Sequence, residues 1–197
     1  MNTLKAEKRS MDVKAKKLRR EGYVVGNVFG REIEGSIPVK MARGEVEKFL
    51  KTDGKGSQIM LDIEGTQYDV LIKDISYNPT AGCINEIDFQ ALVSNEKVHS
   101  VAEIVLHNTE NVVEGVLEQI LKEVSYKAYP SALVDKIDVD CGSLHLGDCI
   151  RVKDLEIAKN KDISIMTNPE SIIVNVIAVH NNAGDDTADD TEEAAEK

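Results

Sequence analysis

Two short runs do most to fix the class of fold open to this chain. Gln58 to Ile63 and Tyr68 to Ile75 are rich in β-branched and large apolar residues, and Glu64-Gly65-Thr66-Gln67 separates them. Runs of that length on either side of a Gly-containing turn read as a β-hairpin. Similar signals surround the hairpin. Val24, Val25, Val28 and Phe29 suggest a strand interrupted by Gly26, and Ser36 to Met41 suggests another, with Pro38 marking an edge or an end. A further strand, around Ile84 to Leu92, follows the turn Asn78-Pro79-Thr80-Ala81-Gly82. Helical pattern is confined to short pieces. Asp12 is placed to cap a helix carrying Lys14 to Arg20, with Val13 and Leu18 turned inward and Gly22 ending it. Val46, Phe49 and Leu50 follow helical spacing between Gly44 and Gly54. Residues 1–94 are therefore expected to form a β-rich domain with one or two short helices.

Ser94-Asn95-Glu96-Lys97 is polar and makes a junction. Beyond it, Ser100 to Leu106, Ile137 to Val139, Cys149 to Val152 and Ile172 to Val179 read as strands of a second β domain, residues 95–182. One segment departs from that pattern. Val113, Val116, Leu117, Ile120, Leu121 and Val124 have helical spacing, and pattern alone predicts a helix there. Residues 183–197 hold seven acids and one Lys with no apolar periodicity and little to bury, so a disordered acidic tail is expected.

A length of 197 residues allows one large domain or two small ones. The formal net charge is −11, which argues against a uniformly basic nucleic-acid coat but not against a local basic patch. The charge is indeed uneven. Residues 1–20 carry eight Lys and Arg against two acids, whereas residues 95–197 carry nine basic and 21 acidic side chains. Such asymmetry suggests a basic contact segment and an acidic body. Several cations within one or two helical turns are what a phosphate-contacting strip requires, because they release counterions from a polyanion. The alternative is a solvated helix face. No apolar run approaches a membrane span, and the N-terminal charges are not followed by the apolar core of a signal peptide. Three Cys (Cys83, Cys141, Cys149) read as reduced thiols of a cytosolic protein rather than a disulfide framework.

Other motifs resolve to plainer readings. Gly54-Lys55-Gly56-Ser57 has the residue types of a phosphate loop in the wrong order, so a glycine-rich turn into the hairpin is expected. Cys141, His145 and Cys149 are spaced four and four, but no fourth ligand or paired-Cys knuckle accompanies them. No metal site and no cofactor are expected. There is no Gly-x-Ser-x-Gly elbow, the four His are scattered through the acidic half, and no pair of carboxylates stands out. The chain is not expected to be an enzyme.

An ordered series of segments carries a resemblance. Lys5-Ala6-Glu7-Lys8-Arg9, then Lys14-Ala15-Lys16-Lys17-Leu18-Arg19-Arg20-Glu21-Gly22, Val28-Phe29-Gly30, Val70-Leu71-Ile72-Lys73-Asp74-Ile75 and Ile87-Asp88-Phe89 follow one another through the first half. Together they resemble the bacterial 5S-rRNA-binding protein of the large ribosomal subunit, the large-subunit protein twenty-five family. The second half resembles the extension of that family's long form, known as CTC or general stress protein. The pieces there are Val113-Glu114-Gly115-Val116-Leu117, Tyr129-Pro130, Ile137-Asp138-Val139-Asp140, Leu146-Gly147-Asp148 and Val152-Lys153-Asp154-Leu155. The resemblance implies a mainly β chain: an N-terminal antiparallel β-barrel domain with short helices that binds loop E of 5S rRNA, then a second β-rich domain. It also implies that the Val113–Val124 region is extended, and we adopt that over the periodicity.

As a ribosomal protein the chain would be a cytoplasmic, non-catalytic structural constituent of the large subunit, with 5S rRNA as its partner. A distorted duplex such as loop E is read through shape, 2′-hydroxyls and phosphates, and a chain with eight Tyr and Phe and no Trp suits that mode better than base stacking. Arg9, Lys14, Lys16, Lys17, Arg19 and Arg20 are the expected phosphate contacts. Lys16, Arg19 and Arg20 share one helix face by three-and-four spacing, as do Lys14 and Lys17. The resemblance adds Phe29, Lys73, Tyr77 and Asn78. The acidic second domain would face a neighbouring ribosomal protein or solvent rather than RNA. The chain also departs from the family pattern. Phe29 replaces a usual Tyr, Asn78 stands where a His precedes Pro79, and Glu86 stands where a His precedes the Asp-Phe pair. These departures motivate an alternative: an interaction module of the same fold that has lost 5S rRNA binding.

Overall fold

Alternation of inward apolar and outward polar side chains builds the first half. The computed structural model describes residues 2–112 and 115–178. Its first six strands are β1 (Thr3–Lys8), β2 (Tyr23–Phe29), β3 (Ser36–Ala42), β4 (Gln58–Ile63), β5 (Thr66–Asn78) and β6 (Cys83–Ala91). They close into a barrel in the order β1-β3-β2-β6-β5-β4. Four of its seams are antiparallel, while β1 with β4 and β2 with β6 are parallel. Closure leaves the barrel without an unpaired edge. Leu4 and Ala6, Val24 and Val28, Ile59, Leu61 and Ile63 alternate into its core with Phe89. Helix α2 (Arg43–Phe49) adds Val46 to that core. Helix α1 (Ala15–Arg20) packs against β2 and buries Leu18.

Several local expectations are corrected. Asp12 does not cap α1: the N-cap position is Lys14, without a side-chain cap, and the Asp12 carboxylate instead accepts a hydrogen bond from the Ser10 hydroxyl at 2.9 Å. Gly26 does not interrupt β2, which runs through it; a Cβ there would collide with the backbone carbonyl of Ile87 on β6, so glycine permits the parallel pairing. The hairpin turn has two residues, not four, because Thr66 and Gln67 pair with Ile63 and Asp62. Both turn residues have positive φ, 52° at Glu64 and 92° at Gly65, as a turn matching strand twist demands. Pro38 marks neither an edge nor an end: it lies inside β3, opposite Asn27 of β2, in a strand paired on both sides. Its carbonyl accepts from Arg9 N–H, just past the last β1–β3 pair, Lys8 with Val39, so no ladder amide is lost there.

The second half is also β. Strands β7 (Val98–His107), β8 (Val116–Gln119), β9 (Glu123–Ala128), β10 (Lys136–Asp140), β11 (Cys149–Arg151), β12 (Ser164–Ile165) and β13 (Ile172–Ile177) form two sheets. One has the order β10-β7-β9-β12, the other β11-β13-β8. Tyr126, Cys141, Ile173 and Val174 lie in the core these sheets share. The helix suggested by Val116 to Val124 is absent: β8 and the start of β9 occupy that stretch, and Val124 alternates with exposed neighbours into the core. Residues 113–114, Val179 and the expected disordered tail, 183–197, fall outside the described residues.

The two halves meet along a polar seam. Gly56 stands at φ +90°, so close to the carbonyl of Val101 that a Cβ would overlap it. Around it, Lys73 Nζ donates to the carbonyl of His99 at 2.7 Å, Ser57 Oγ donates to Asp135 at 3.3 Å, and Lys55 lies 3.6 Å from Asp74 and 4.0 Å from Glu123.

Candidate nucleic-acid interface

The outer wall of β2, β6 and β5 forms a platform with α1 along one end. Register fixes what the wall presents. Val25 pairs with Glu86, Asn27 with Asp88 and Phe29 with Gln90; on the other side of β6, Ser76 pairs with Glu86 and Asp74 with Asp88. Inward neighbours Val24, Val28, Ile87 and Phe89 belong to the barrel core, so this intervening set points away from it; Val25 is buried there all the same, and the polar members are at least partly exposed.

Helix α1 brings most of the expected cations together. Lys14, Lys16, Lys17 and Arg20 are exposed. Lys17 makes a loose ion pair with Glu21 at 3.8 Å. Arg19 behaves differently. It is half-buried, its Nε donates to the carbonyl of Asn85 at 3.0 Å, and its outer nitrogen lies 3.7 Å from Glu86. Its own carbonyl accepts a hydrogen bond from Arg43 at 2.8 Å. Arg9 is also half-buried and donates to the carbonyl of Val13 at 3.1 Å, which fastens the approach to α1 onto the end of β1.

The four residues added by the resemblance are not gathered at one point. Tyr77 is 57% exposed at the far end of β5, paired with Ile84. Asn78 follows it, and its side-chain oxygen accepts from the backbone N–H of Thr80 and Ala81, shaping the turn before β6. Both stand at the α1 end of the wall, because Arg19 reaches Asn85 beside them. Phe29 is half-buried on the outer wall but opposite Gln90, six residues further along β6 than Ile84, or about 20 Å. Lys73 occupies a bulge of β5 between Ile72 and Asp74, and its ammonium lies on the seam with the second half. Burial holds its pKa below the ordinary lysine value, with Lys55 adding to the effect.

Sequence reasoning gave no role to Asn27, Arg43, Asn85 or Asp88, yet all four organise this wall. Burial pushes the Asp88 carboxyl above its ordinary value, Asp74 across the strand adds to this, and a hydrogen bond with Asn27 pulls it back. The one legible signal was Asn27 itself, a polar residue alternating with buried Gly26 and Val28. Asn85 acts through its backbone and Arg43 through a contact 24 residues away in sequence, and neither leaves a local pattern.

In the second half, Cys141 lies in the core and Cys149 is exposed on β11, while His145 packs beside Asp148 in the intervening turn. Among the described residues no group of three or more His, Cys, Asp or Glu is arranged to hold a metal ion. No helix among them is long and apolar enough to cross a membrane.

A closed barrel with a cationic helix on its wall, continued by a second β unit, is the class of chain found among ribosomal proteins of this build. Residues 4–89 match the Ribosomal L25p family, and residues 97–180 match the C-terminal domain of ribosomal protein TL5. The chain is 32% identical to the large ribosomal subunit protein bL25 of Carboxydothermus hydrogenoformans, over 87% of its own length and 89% of that protein. It is 30% identical to that of Bacillus velezensis over 96% and 94% of the two chains, and 26% identical to that of Caldanaerobacter subterraneus over 98% of each. The chain belongs to the bL25 family, in its two-part form with the TL5-type C-terminal unit. This is a family of non-catalytic structural proteins of the large subunit.

Proposed function

We propose that the chain binds the loop E region of 5S rRNA within the cytoplasmic large ribosomal subunit, through α1 and the adjoining outer wall of the barrel. Residues 1–94 act as the RNA-binding domain and residues 95–182 as a second domain directed to a protein neighbour or to solvent. The observation that carries this reading is the presentation of Lys14, Lys16, Lys17 and Arg20 from a helix only six residues long, held against a β wall. Four mobile ammonium and guanidinium groups within about 10 Å suit the phosphates that line a duplex groove. Tyr77 and Asn78 adjoin them, and Phe29 extends the contact along the wall. Arg9 supports the loop before α1. The acidic excess of the second half keeps it away from phosphate.

The test is binding of the full chain to a loop E fragment across a salt series, beside the triple variant Lys14→Ala, Lys16→Ala, Arg20→Ala. The expected result is tight binding with a steep salt slope that flattens by about one unit for each phosphate contact removed. Binding no tighter than to an unrelated RNA duplex would overturn it. The outward carboxylates Glu86, Asp88 and Asp74 favour a second reading in that event: the fold persists as a protein-interaction module without the RNA.

A further inference from the structure

Glu86 is one of three outward carboxylates on the wall, with Asp74 and Asp88, and Arg19 is the cation of α1 that lies half-buried against it. The two observations explain each other. Glu86 faces out near the α1 end of the wall, paired in register with Val25 on one side and Ser76 on the other. The Arg19 guanidinium lies over it, 3.7 Å from the carboxylate, with Nε donating to the carbonyl of the preceding residue, Asn85, at 3.0 Å. An arginine presents its donors as a rigid planar fork. Here Nε is taken by a backbone carbonyl and the adjacent nitrogen is directed at a carboxylate, so one of the two bidentate edges of the guanidinium, the Nε side, already faces the protein. The backbone of Arg19 is fixed as well, because its carbonyl accepts from Arg43, and the Arg43 Nε is itself buried.

We propose that Arg19 is a positioning residue rather than a phosphate contact. It cancels the charge of Glu86 on the RNA-facing wall and fastens the last turn of α1 to β6, so that Lys14, Lys16 and Arg20 are presented to the nucleic acid. A carboxylate is thereby tolerated at a position where the family pattern has a His. This inference rests on the RNA-binding reading above and divides the cations of α1 into two functions that their spacing alone does not separate.

The experiment compares the full chain with Arg19→Ala, Glu86→Gln and the double variant, measuring affinity for the loop E fragment as a function of salt. Arg19→Ala should weaken binding at least tenfold at a fixed salt concentration while leaving the salt slope unchanged, because no phosphate contact is removed. Adding Glu86→Gln should restore the part of the loss that comes from the uncompensated carboxylate, leaving the part that comes from the lost fastening of α1. A slope that flattens by about one unit in Arg19→Ala, with no rescue in the double variant, would overturn the proposal and make Arg19 a phosphate contact. Glu86→Gln alone, the milder substitution, should bind as tightly as the parent or tighter; weaker binding would also count against the proposal. If the parent chain fails to bind the fragment, the RNA-binding reading falls. Amide hydrogen exchange then decides the fastening itself: Arg19→Ala should raise exchange in α1 and leave β4 and β5 protected, and unchanged exchange in α1 would overturn it.

Discussion

The Lys73 ammonium of the barrel donates a 2.7 Å hydrogen bond to the backbone carbonyl of His99, at the start of the second half. A lysine expected to meet RNA is thus placed on an internal seam, where burial lowers its pKa. Its loss should therefore affect the junction more than any nucleic acid. Lys73→Ala is expected to destabilise the chain by about 1 kcal/mol, the scale of a partly exposed charged hydrogen bond. It should leave the salt slope of RNA binding within about 0.3 units of the parent, against the change of about one unit that a lost phosphate contact gives. Thermal unfolding and the salt series together check this. A flattened slope without loss of stability would show that Lys73 reaches phosphate after all.

Gly56 sets the spacing of the same seam. At φ +90° it adopts a backbone conformation that other residues rarely take, and a side chain there would meet the carbonyl of Val101. Gly56→Ala should cost roughly 2 kcal/mol or more, combining backbone strain with an overlap that must be relieved by separation of the halves. Limited proteolysis should then cut faster in the polar stretch 94–97. Unchanged cleavage and an unchanged melting temperature would mean that the seam is already loose.

The strands of both halves were legible because burial on one face writes itself as alternation, as in Ile59, Leu61 and Ile63. Periodicity taken alone failed where residues of two strands mimicked a helix, and the extended conformation adopted from the resemblance is the one found over 116–124. Leu117, Leu121 and Val124 are three and four apart, yet they reach the core from two strands and the connection between them rather than from one face. Gly26 misled for a related reason: its role is set by Ile87, distant in sequence, whereas glycine in isolation reads as a break. The same limit applied to the candidate site. The basic run was visible as composition, but the separation of Arg19 from Lys16 and Arg20 depends on Asn85 and Glu86, 66 and 67 positions away, and three-and-four spacing places all three on one face.

The β4–β5 turn offers a stabilising change. Glu64 holds φ at 52°, a left-handed conformation that Asn adopts more readily, and Gly65 completes the turn with its N–H donating to Asp62 at 2.8 Å. Glu64→Asn should raise stability by about 0.5 kcal/mol, less whatever the 3.3 Å bond from the Lys8 amide to the Glu64 carboxylate contributes. For a chain of this length that is a rise of about 1–2 °C in Tm. Gly65→Ala should move Tm the other way by at least as much. Differential scanning calorimetry on the two variants reads both signs, and a drop in Tm for Glu64→Asn would show that the Lys8 contact outweighs the turn.

Tyr126 is the most informative buried polar group in the second half. Its ring is inaccessible in the core, while its hydroxyl donates to the carbonyl of Val134 at 2.7 Å and accepts from the Val134 N–H at 2.8 Å. One side chain therefore satisfies both backbone groups of a residue in the loop before β10. Tyr126→Phe keeps the apolar contacts and leaves those two groups unpaired, so a loss of about 1–3 kcal/mol is expected. Burial also raises the phenol pKa above its ordinary value of 10.0. The neutral phenol is thus favoured in the folded chain, and the unfolded chain gives up its proton first. The stabilisation is complete below pH 10 and is lost as pH climbs from there through the folded pKa. Denaturant unfolding at neutral and alkaline pH should show the parent losing stability above pH 10 more steeply than Tyr126→Phe. Parallel curves would mean that the phenol titrates alike in both states and that burial does not hold it neutral in the folded chain.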